Sequence, residues 1–139
     1  MAKQPMMLLE GNKVQRIYEV SFTLYTEKDE TGKPSDRARC GLIKIKREAS
    51  SDTTLFRWAA DSSKKNFKSG KITFKHPESE EDMVSLEFEK AFISYYELHC
   101  PDIKQNSGDQ IFEYCEISTE KITLGSDTLH QNWDTDETM

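Results

Sequence analysis

The chain has 139 residues, of which 35% are hydrophobic and 32% are charged, and its net charge at pH 7 is -6. This length fits a single domain with one core, over residues 1–139, and no apolar run approaches the length of a membrane-spanning helix. The acidic balance argues against nucleic acid as the main partner, because phosphate binding needs an excess of basic residues.

The first twelve residues, MAKQPMMLLEGN, contain only four consecutive apolar residues. This run is too short for the apolar region of a cleaved secretory signal. We therefore expect the protein to start in the cytoplasm, and any export to use another route. The cysteines Cys40, Cys100 and Cys115 are isolated in the sequence, which predicts reduced thiols and neither a disulfide framework nor a zinc site.

The chain opens with a predicted β-hairpin, because Gly11 and Asn12 form a favourable two-residue turn between two short runs. The next segment has an apolar residue at every second position, which is typical of a strand with one buried face. Its apolar residues are Tyr18, Val20, Phe22 and Leu24.

A long polar segment follows, from Glu27 to Asp36, and it contains the turn formers Gly32 and Pro34. It predicts a projecting loop, which passes directly into a strand from Arg37 to Lys46. Loops of this length inside compact domains are more often functional than accidental. We interpret the loop as the main contact device of the chain, and a merely solvated loop is the alternative.

A short helix from Thr53 to Ala60 is predicted next, because good N-cap residues precede it and Leu55 and Trp58 lie on one apolar stripe. Two helical turns are not stable alone in water. The helix should therefore lie against the sheet.

The longest strand pattern changes at Lys90, where we predict a bulge that bends the strand around a barrel corner. Beyond Lys90 apolar residues occupy both faces, so this half-strand needs cover on both sides from the helix or from a neighbouring subunit. The pattern assigns Ala91, Ile93 and Tyr95 to one face and Phe92, Tyr96 and Leu98 to the other.

Two further strands are predicted, from Ile111 to Ser118 and from Glu120 to Leu124, and Gly125 ends the predicted ordered structure. The last residues, from about 135, predict a flexible acidic tail. Seven or eight strands and one helix favour a mainly β fold, either a small antiparallel barrel or a closed sandwich.

No catalytic or metal-binding motif is present in the sequence. The histidines His76, His99 and His130 are far apart, without a second ligand at metal spacing. We therefore expect no enzyme activity, no metal and no cofactor. A basic block before Pro77 and an acidic block after it could steer head-to-tail association of subunits.

One ordered set of segments resembles the Hcp tube protein of bacterial type VI secretion systems, in the form found in Bacteroidetes. The segments are GKPSDRARCGLIKIKREASSDTTLFRWA, GKITFK, LEFEKAFISYYE, EISTEKITLG and NWD. The resemblance runs from about Leu8 to Asp134. The chain departs from it at Cys40, in the loop from Pro101 to Asp109 and after Asp134.

The resemblance implies a phage tail-tube-like β-barrel of two sheets with one short helix packed on its side. It also implies a homohexamer whose rings stack into a tube, expelled by a contractile sheath with a spike protein at its tip, while the lumen carries effector proteins. Such a protein is cytoplasmic when assembled and is secreted through the apparatus without a signal peptide. The implied function is structural.

Two sets of interface residues follow as hypotheses under this resemblance. For contacts within the ring we predict Ala91, Ile93 and Tyr95. For ring stacking we predict the projecting loop and the strand that leaves it, with Thr31, Gly32, Lys33, Pro34, Ser35, Arg37 and Arg39.

Two other functions stay open on the residues alone. One is a soluble β-barrel binding module or effector carrier that builds no tube. The other is an enzyme with a carboxylate site on the strand face that carries Glu87, Glu89 and Glu97, although alternating glutamates are more often a solvated face.

Overall fold

A computed structural model describes residues 4–26, 28–34, 39–61, 63–79, 81–102, 104 and 111–131. Within these residues the chain forms eight strands, one α-helix and a 3₁₀ turn at Lys64–Asn66. The strands are β1 Met6–Leu9, β2 Asn12–Val14, β3 Ile17–Tyr25, β4 Arg39–Glu48, β5 Lys68–Lys75, β6 Asp82–His99, β7 Phe112–Leu124 and β8 Asp127–His130, and the helix is α1 Thr54–Ala60. None of the described helical segments is long and apolar enough to cross a membrane.

All the described strands belong to one antiparallel sheet, in the order β2-β1-β5-β6-β7-β4-β3 with β8 beside β7. The sheet is strongly curled into a half-barrel, and α1 packs against β6. The predicted mainly β, antiparallel fold with one short helix at its side is confirmed. The strands form one continuous sheet where two were predicted, because β6 and β7 are long enough to run through the bend between the two halves.

The first hairpin forms as predicted, but its turn lies one residue earlier in the chain. Leu9 pairs with Asn12, so the turn residues are Glu10 and Gly11. Both have positive φ, 50° and 82°, which is the geometry of the two-residue turns that match strand twist. Glu10 tolerates this conformation because its side chain accepts a hydrogen bond of 2.8 Å from the backbone of Ser69.

The bulge predicted near Lys90 is confirmed. The β5–β6 register shifts between the pairs Lys68–Ala91 and Gly70–Phe88, and Lys90 has a φ of 54°. The Lys90 ammonium lies 3.3 Å from the buried carboxylate of Glu120 on β7. An extra residue in one strand bends it and increases its twist, so the sheet changes direction at this point.

The last part of the chain differs from the prediction in two ways. The two strands predicted around Thr119 are one continuous strand, β7, in which Thr119 and Glu120 are both buried. The phase of the alternation changes there because β7 crosses the bend opposite Lys90. Gly125, with a φ of 63°, does not end the ordered structure but begins a tight turn into β8.

A buried ion pair joins the helix region to the sheet. The guanidinium of Arg47 on β4 donates a hydrogen bond of 2.7 Å to Glu113 on β7, and both side chains are almost fully buried. Arg47 also donates a hydrogen bond of 3.1 Å to the backbone carbonyl of Asp52, just before α1. The Tyr96 hydroxyl donates to the second oxygen of Glu113, so three strands and the start of α1 meet at one network. Beside it, Leu55 and Trp58 of α1 enter the core, as predicted.

Candidate interaction surfaces

The tip of the predicted contact loop is an ordered turn built on Asp29. One carboxylate oxygen of Asp29 accepts hydrogen bonds from the backbone amides of Thr31 and Lys33, at 2.9 and 3.0 Å, and from the Thr31 hydroxyl at 2.7 Å. These bonds, first the one from the Thr31 hydroxyl, hold the pKa of Asp29 below its usual value. A backbone bond from Gly32 to Asp29 closes the turn, and Gly32 has a φ of 89°. The loop tip therefore has a fixed shape before it meets any partner.

Four of the predicted stacking residues lie on this exposed tip: Thr31, Gly32, Lys33 and Pro34. An isolated bridge between Lys28 and Pro34 closes its base. Ser35 and Arg37 lie outside the described residues. Arg39 begins β4, where its backbone pairs with Tyr25, and its side chain is not described. Asp29, which organises the tip, was missed from the sequence, although an Asp two residues before a Thr in a Gly-containing loop is a recognisable turn signal.

The structure separates the three residues predicted for contacts within the ring. Ala91 and Ile93 are 0% and 4% exposed and belong to the core of their own subunit, so they are not available to a second one. Tyr95 is 49% exposed. The alternation assumed in the sequence breaks at Ser94, where the β6–β7 register shifts between Ile93 and Tyr95.

This second irregularity corrects the predicted faces of the strand. Because Ser94 is a bulge position, Tyr96 turns inward with Ala91 and Ile93 and bonds to the buried Glu113. Tyr95 points outward instead. Part of the cover predicted for this half-strand comes from the same chain: Phe56 of α1 contacts the ring of Tyr96 on the inner side. On the outer side Phe67 stacks on Phe92, with ring centroids 5.6 Å apart.

The outer face beyond the bend carries a row of aromatic side chains. Tyr95 packs edge-on against Tyr114, with 5.9 Å between ring centroids. Two residues before Tyr114 on β7, the ring of Phe112 lies between the ring of His99, with centroids 4.8 Å apart, and the Lys46 ammonium, which is 4.4 Å from the Phe112 centroid. Partial burial raises the pKa of Tyr114, and its hydroxyl donates a hydrogen bond of 2.6 Å to the carboxylate of Glu116. We call Tyr95, Phe112 and Tyr114 the aromatic row.

On the strand face of the enzyme alternative, two of the three glutamates contact a basic side chain. Glu89 pairs with Lys121 at 3.1 Å, and Glu97 lies 3.2 Å from the ring nitrogen of His99. Glu87 and Glu89 border a shallow cleft of about 320 Å³ beside Lys121. Lys121 neutralises Glu89, and the three carboxylates are arranged as on a solvated strand face.

The remaining sequence candidates are dispersed. Lys75 and Asp82, from the basic and acidic blocks, form an ion pair of 2.6 Å across one hairpin, so the two blocks partly neutralise each other within the subunit. His130 lies 3.6 Å from Glu120, while the backbone amide of His76 donates to Glu81. Among the described residues no group of histidine, cysteine and acidic side chains could hold a metal ion.

Strand β3 adds an exposed apolar surface that sequence reasoning did not assign. Within the described part of the chain, β3 pairs with β4 alone and forms one edge of the sheet. Tyr18, Leu24 and Tyr25 are each more than 40% exposed, whereas Val20 and Phe22 are half-buried against the core. The alternation predicted this strand correctly, but alternation alone does not tell whether a neighbour covers the apolar face.

A family model described as "Hemolysin coregulated protein Hcp (TssD)" matches residues 4–134. Among the curated proteins, none matches the chain.

Among solved structures, Hcp1 from Flavobacterium johnsoniae is similar over 92% of this chain and 99% of its own, with 26% sequence identity and a TM-score of 0.77. A mutant of Hcp1 from E. coli is similar over 93% of this chain and 99% of its own, with 15% sequence identity and a TM-score of 0.73. A sheath–tube complex of an extracellular contractile injection system contains a chain with the same fold, at 13% identity, 89% coverage of both chains and a TM-score of 0.59.

Proposed function

Because the chain belongs to the hemolysin coregulated protein (Hcp, TssD) family, we propose that it is a structural subunit of the inner tube of a type VI secretion system. Six copies form a ring, the rings stack, and a contractile sheath expels the tube with a spike protein at its tip. The lumen carries effector proteins, and the subunit leaves the cell through the apparatus without a signal peptide.

The observation that carries this proposal is the match of the family model over residues 4–134, together with a shared fold over nearly the whole length of Hcp1 from Flavobacterium johnsoniae. The likeness to a chain of a sheath–tube complex shows that contractile injection systems use the same fold. The exposed ring of Tyr95 and the ordered loop tip around Asp29 support a role in assembly.

Two surfaces serve the proposed assembly. Tyr95 and the rest of the aromatic row, on the outer face beyond the bend, contact the next subunit of the ring. Rigid aromatic side chains provide large contact areas at a low entropic cost, which suits an interface. The ordered loop tip around Asp29 contacts the next ring. Its preformed turn avoids most of the ordering cost that a flexible loop pays on binding.

The mass of the purified protein in solution tests the ring. Size-exclusion chromatography with light scattering should give about six times the chain mass of 16.1 kDa, and negative-stain images should show rings with a central channel. A monomer under the same conditions contradicts the tube proposal and favours a soluble binding module or effector carrier.

A further inference from the structure

A basic cleft of about 400 Å³ lies at the corner of the sheet where β1, β2 and β5 end. Lys13, Arg16 and Lys75 bring three cations to its wall. Lys75 is already paired with Asp82. In the part of the chain that the structure describes, no carboxylate forms an ion pair with Lys13 or Arg16, and both side chains are exposed. Among the described residues, the cleft therefore has two cations without an ion-pair partner, Lys13 and Arg16, beside Lys75, which has one.

The backbone fixes the position of these charges. Arg16 has a φ of 66°, and its carbonyl accepts a hydrogen bond of 3.1 Å from the amide of Glu48. This bond holds the short connection between β2 and β3 against the end of β4. A positive φ is costly for a side chain of this size, and the bond to β4 keeps it in place. The cleft is consequently part of the folded sheet and not of a loose loop.

A segment of opposite charge follows β8. Residues 132–139 contain Asp134, Asp136 and Glu137 and no lysine or arginine. These residues lie outside the described part of the chain, so their place is argued from where β8 ends. Opposite net charges on two surfaces of one protein attract when two copies meet in a head-to-tail orientation.

The direction of β8 argues against the cleft of the same subunit. His130 pairs with Lys121, which pairs with Glu89, whereas Lys75 at the cleft pairs with Asp82. Seven strand positions separate Glu89 from Asp82, and at 3.3 Å per residue they span about 23 Å.

The chain also leaves β8 in the wrong direction for its own cleft. From Asp127 to His130 it runs away from the end where Lys75 and Asp82 lie. Asp134, four positions after His130, can extend at most about 14 Å from it, and Glu137, seven positions after it, at most about 25 Å. Glu137 could therefore reach the level of its own cleft only if the chain reversed at once after β8 and then stayed fully extended. A second copy can instead present its cleft on the side toward which β8 runs.

We propose that the acidic segment 132–139 of one subunit binds the basic cleft of Lys13, Arg16 and Lys75 in a second subunit. This inference rests on the proposed function, because it needs assembled copies. The contact joins two different surfaces, so it is heterologous and repeats from copy to copy around a ring or along a stack. Exposed ion pairs are individually weak, but repeated copies act together through multivalency. Salt weakens such contacts because it screens exposed charges.

A charge-swap experiment on the full chain tests the contact. The tail variant carries D134K, D136K and E137K, the cleft variant carries K13E and R16E, and a third protein carries all five changes. Lys13 and Arg16 are exposed, so these substitutions should leave the fold unchanged, and circular dichroism checks that. The matched control for the cleft variant is K65E with K104E, two exposed lysines outside the cleft and outside the aromatic row.

The readout is a photo-cross-link from position 135 to the cleft of another copy. Chains with p-benzoylphenylalanine at Thr135 and one affinity tag are mixed with unmodified chains that carry a different tag. The expected product joins the two differently tagged chains, with a cross-linked peptide that contains residues 13–16. The tail variant and the cleft variant should each lower the yield of this product about tenfold, as expected from two or three weak ion pairs together. The protein that carries all five substitutions should restore the yield. The control should leave it unchanged, and 0.5 M NaCl should lower it.

The inference is overturned by a cross-link within one chain, by a cross-link to another surface, or by a yield that the cleft reversal does not change. If rings form and the cleft cross-link is absent, this inference alone fails and the tube proposal stands. If the wild-type chain is monomeric at every concentration, the tube proposal fails and this inference fails with it.

Discussion

The two halves of the long β6–β7 ladder, on either side of Lys90, have the same backbone pairing but different outer faces. Before the bend most outward side chains are polar, as Glu89 with Lys121 and Thr123 with Thr128, although Met83 is also exposed. After the bend aromatic side chains such as Tyr95 and Tyr114 lie among polar ones such as Glu97 and Glu116. The inner faces differ as well, because the first half buries the apolar side chains of Leu86, Phe88 and Ile122, while the second contains the Arg47–Glu113 network under α1.

This difference shows how one pair of strands can serve two environments. A polar face that satisfies its own charges needs no partner, whereas a partly exposed aromatic row is typical of an interface. The buried network holds the helix on the second half, and the aromatic row lies on the opposite side of the same strands. Changes that act on one half should therefore separate folding from assembly.

The largest effect is expected from breaking the network of the second half. Arg47→Ala leaves the carboxylate of Glu113 buried without its cation, and such a loss lowers the free energy of unfolding by about 3 to 5 kcal/mol. Urea denaturation followed by tryptophan fluorescence measures it. The matched control is Lys44→Ala on the same strand, whose exposed side chain should change the value by less than about 0.5 kcal/mol. Equal effects of the two substitutions would contradict a structural role for the network.

A second comparison uses two neighbouring residues on opposite faces of β6. Ile93→Asp places a charge in the core, and we expect a loss of about 3 kcal/mol or more, with aggregation or unfolding as the outcome. Tyr95→Lys changes an exposed position, so it should yield a folded subunit that no longer forms rings.

Thermal melting and light scattering on both variants decide this comparison. A folded, monomeric Ile93→Asp protein would show that Ile93 faces a neighbour and not the core. Rings from the Tyr95→Lys protein would show that the outer face beyond the bend is not the ring interface.

A third, smaller effect concerns the loop tip, which lies away from both halves. Asp29→Ala removes three hydrogen bonds that shape the turn, while Glu30→Ala next to it is the matched control. We expect hexamers from both proteins, but about three- to tenfold fewer stacked tubes from the Asp29 variant, since each hydrogen bond contributes little alone and the copies act together.

The pH dependence of this loop has a defined sign. The pKa of Asp29 is lowered in the folded state, so its contribution is present above the usual carboxyl value and is lost as the pH falls through the lowered one. Counting stacked tubes by electron microscopy between pH 7 and pH 3 checks this, and unstacked rings are counted separately. A tube yield that falls equally in the Asp29→Ala protein would remove Asp29 as the cause.

The smallest effect is chemical and leaves the fold unchanged. Burial raises the pKa of the Cys115 thiol to about 12, so at pH 8 only about one thiol in ten thousand is ionised. Cys100 is exposed. Iodoacetamide should therefore label Cys100 at least about ten times faster than Cys115, as measured by peptide mass spectrometry. Similar rates would mean that the second half of the ladder opens readily.

Much of the fold could be predicted from the sequence because alternation and turn chemistry act over a few residues. The strand around Val20 and Phe22, the helix around Leu55 and Trp58, and the bulge near Lys90 all follow from local patterns. The assembly surfaces were less accessible. The predicted stacking loop has an ordered tip, but Asp29 was overlooked, and of the three residues predicted for contacts within the ring only Tyr95 is exposed.

By itself the sequence determined the mainly β fold, the position of the short helix, the projecting loop and, through its ordered motifs, the family. Only the tertiary structure decided which face each residue of β6 presents, because one extra residue at Ser94 reverses the alternation and leaves no mark in a mixed apolar run. It also decided that Arg47 is buried beside Glu113, a partner 66 positions away in the chain. Such pairings depend on which strands become neighbours, and local periodicity carries no information about that.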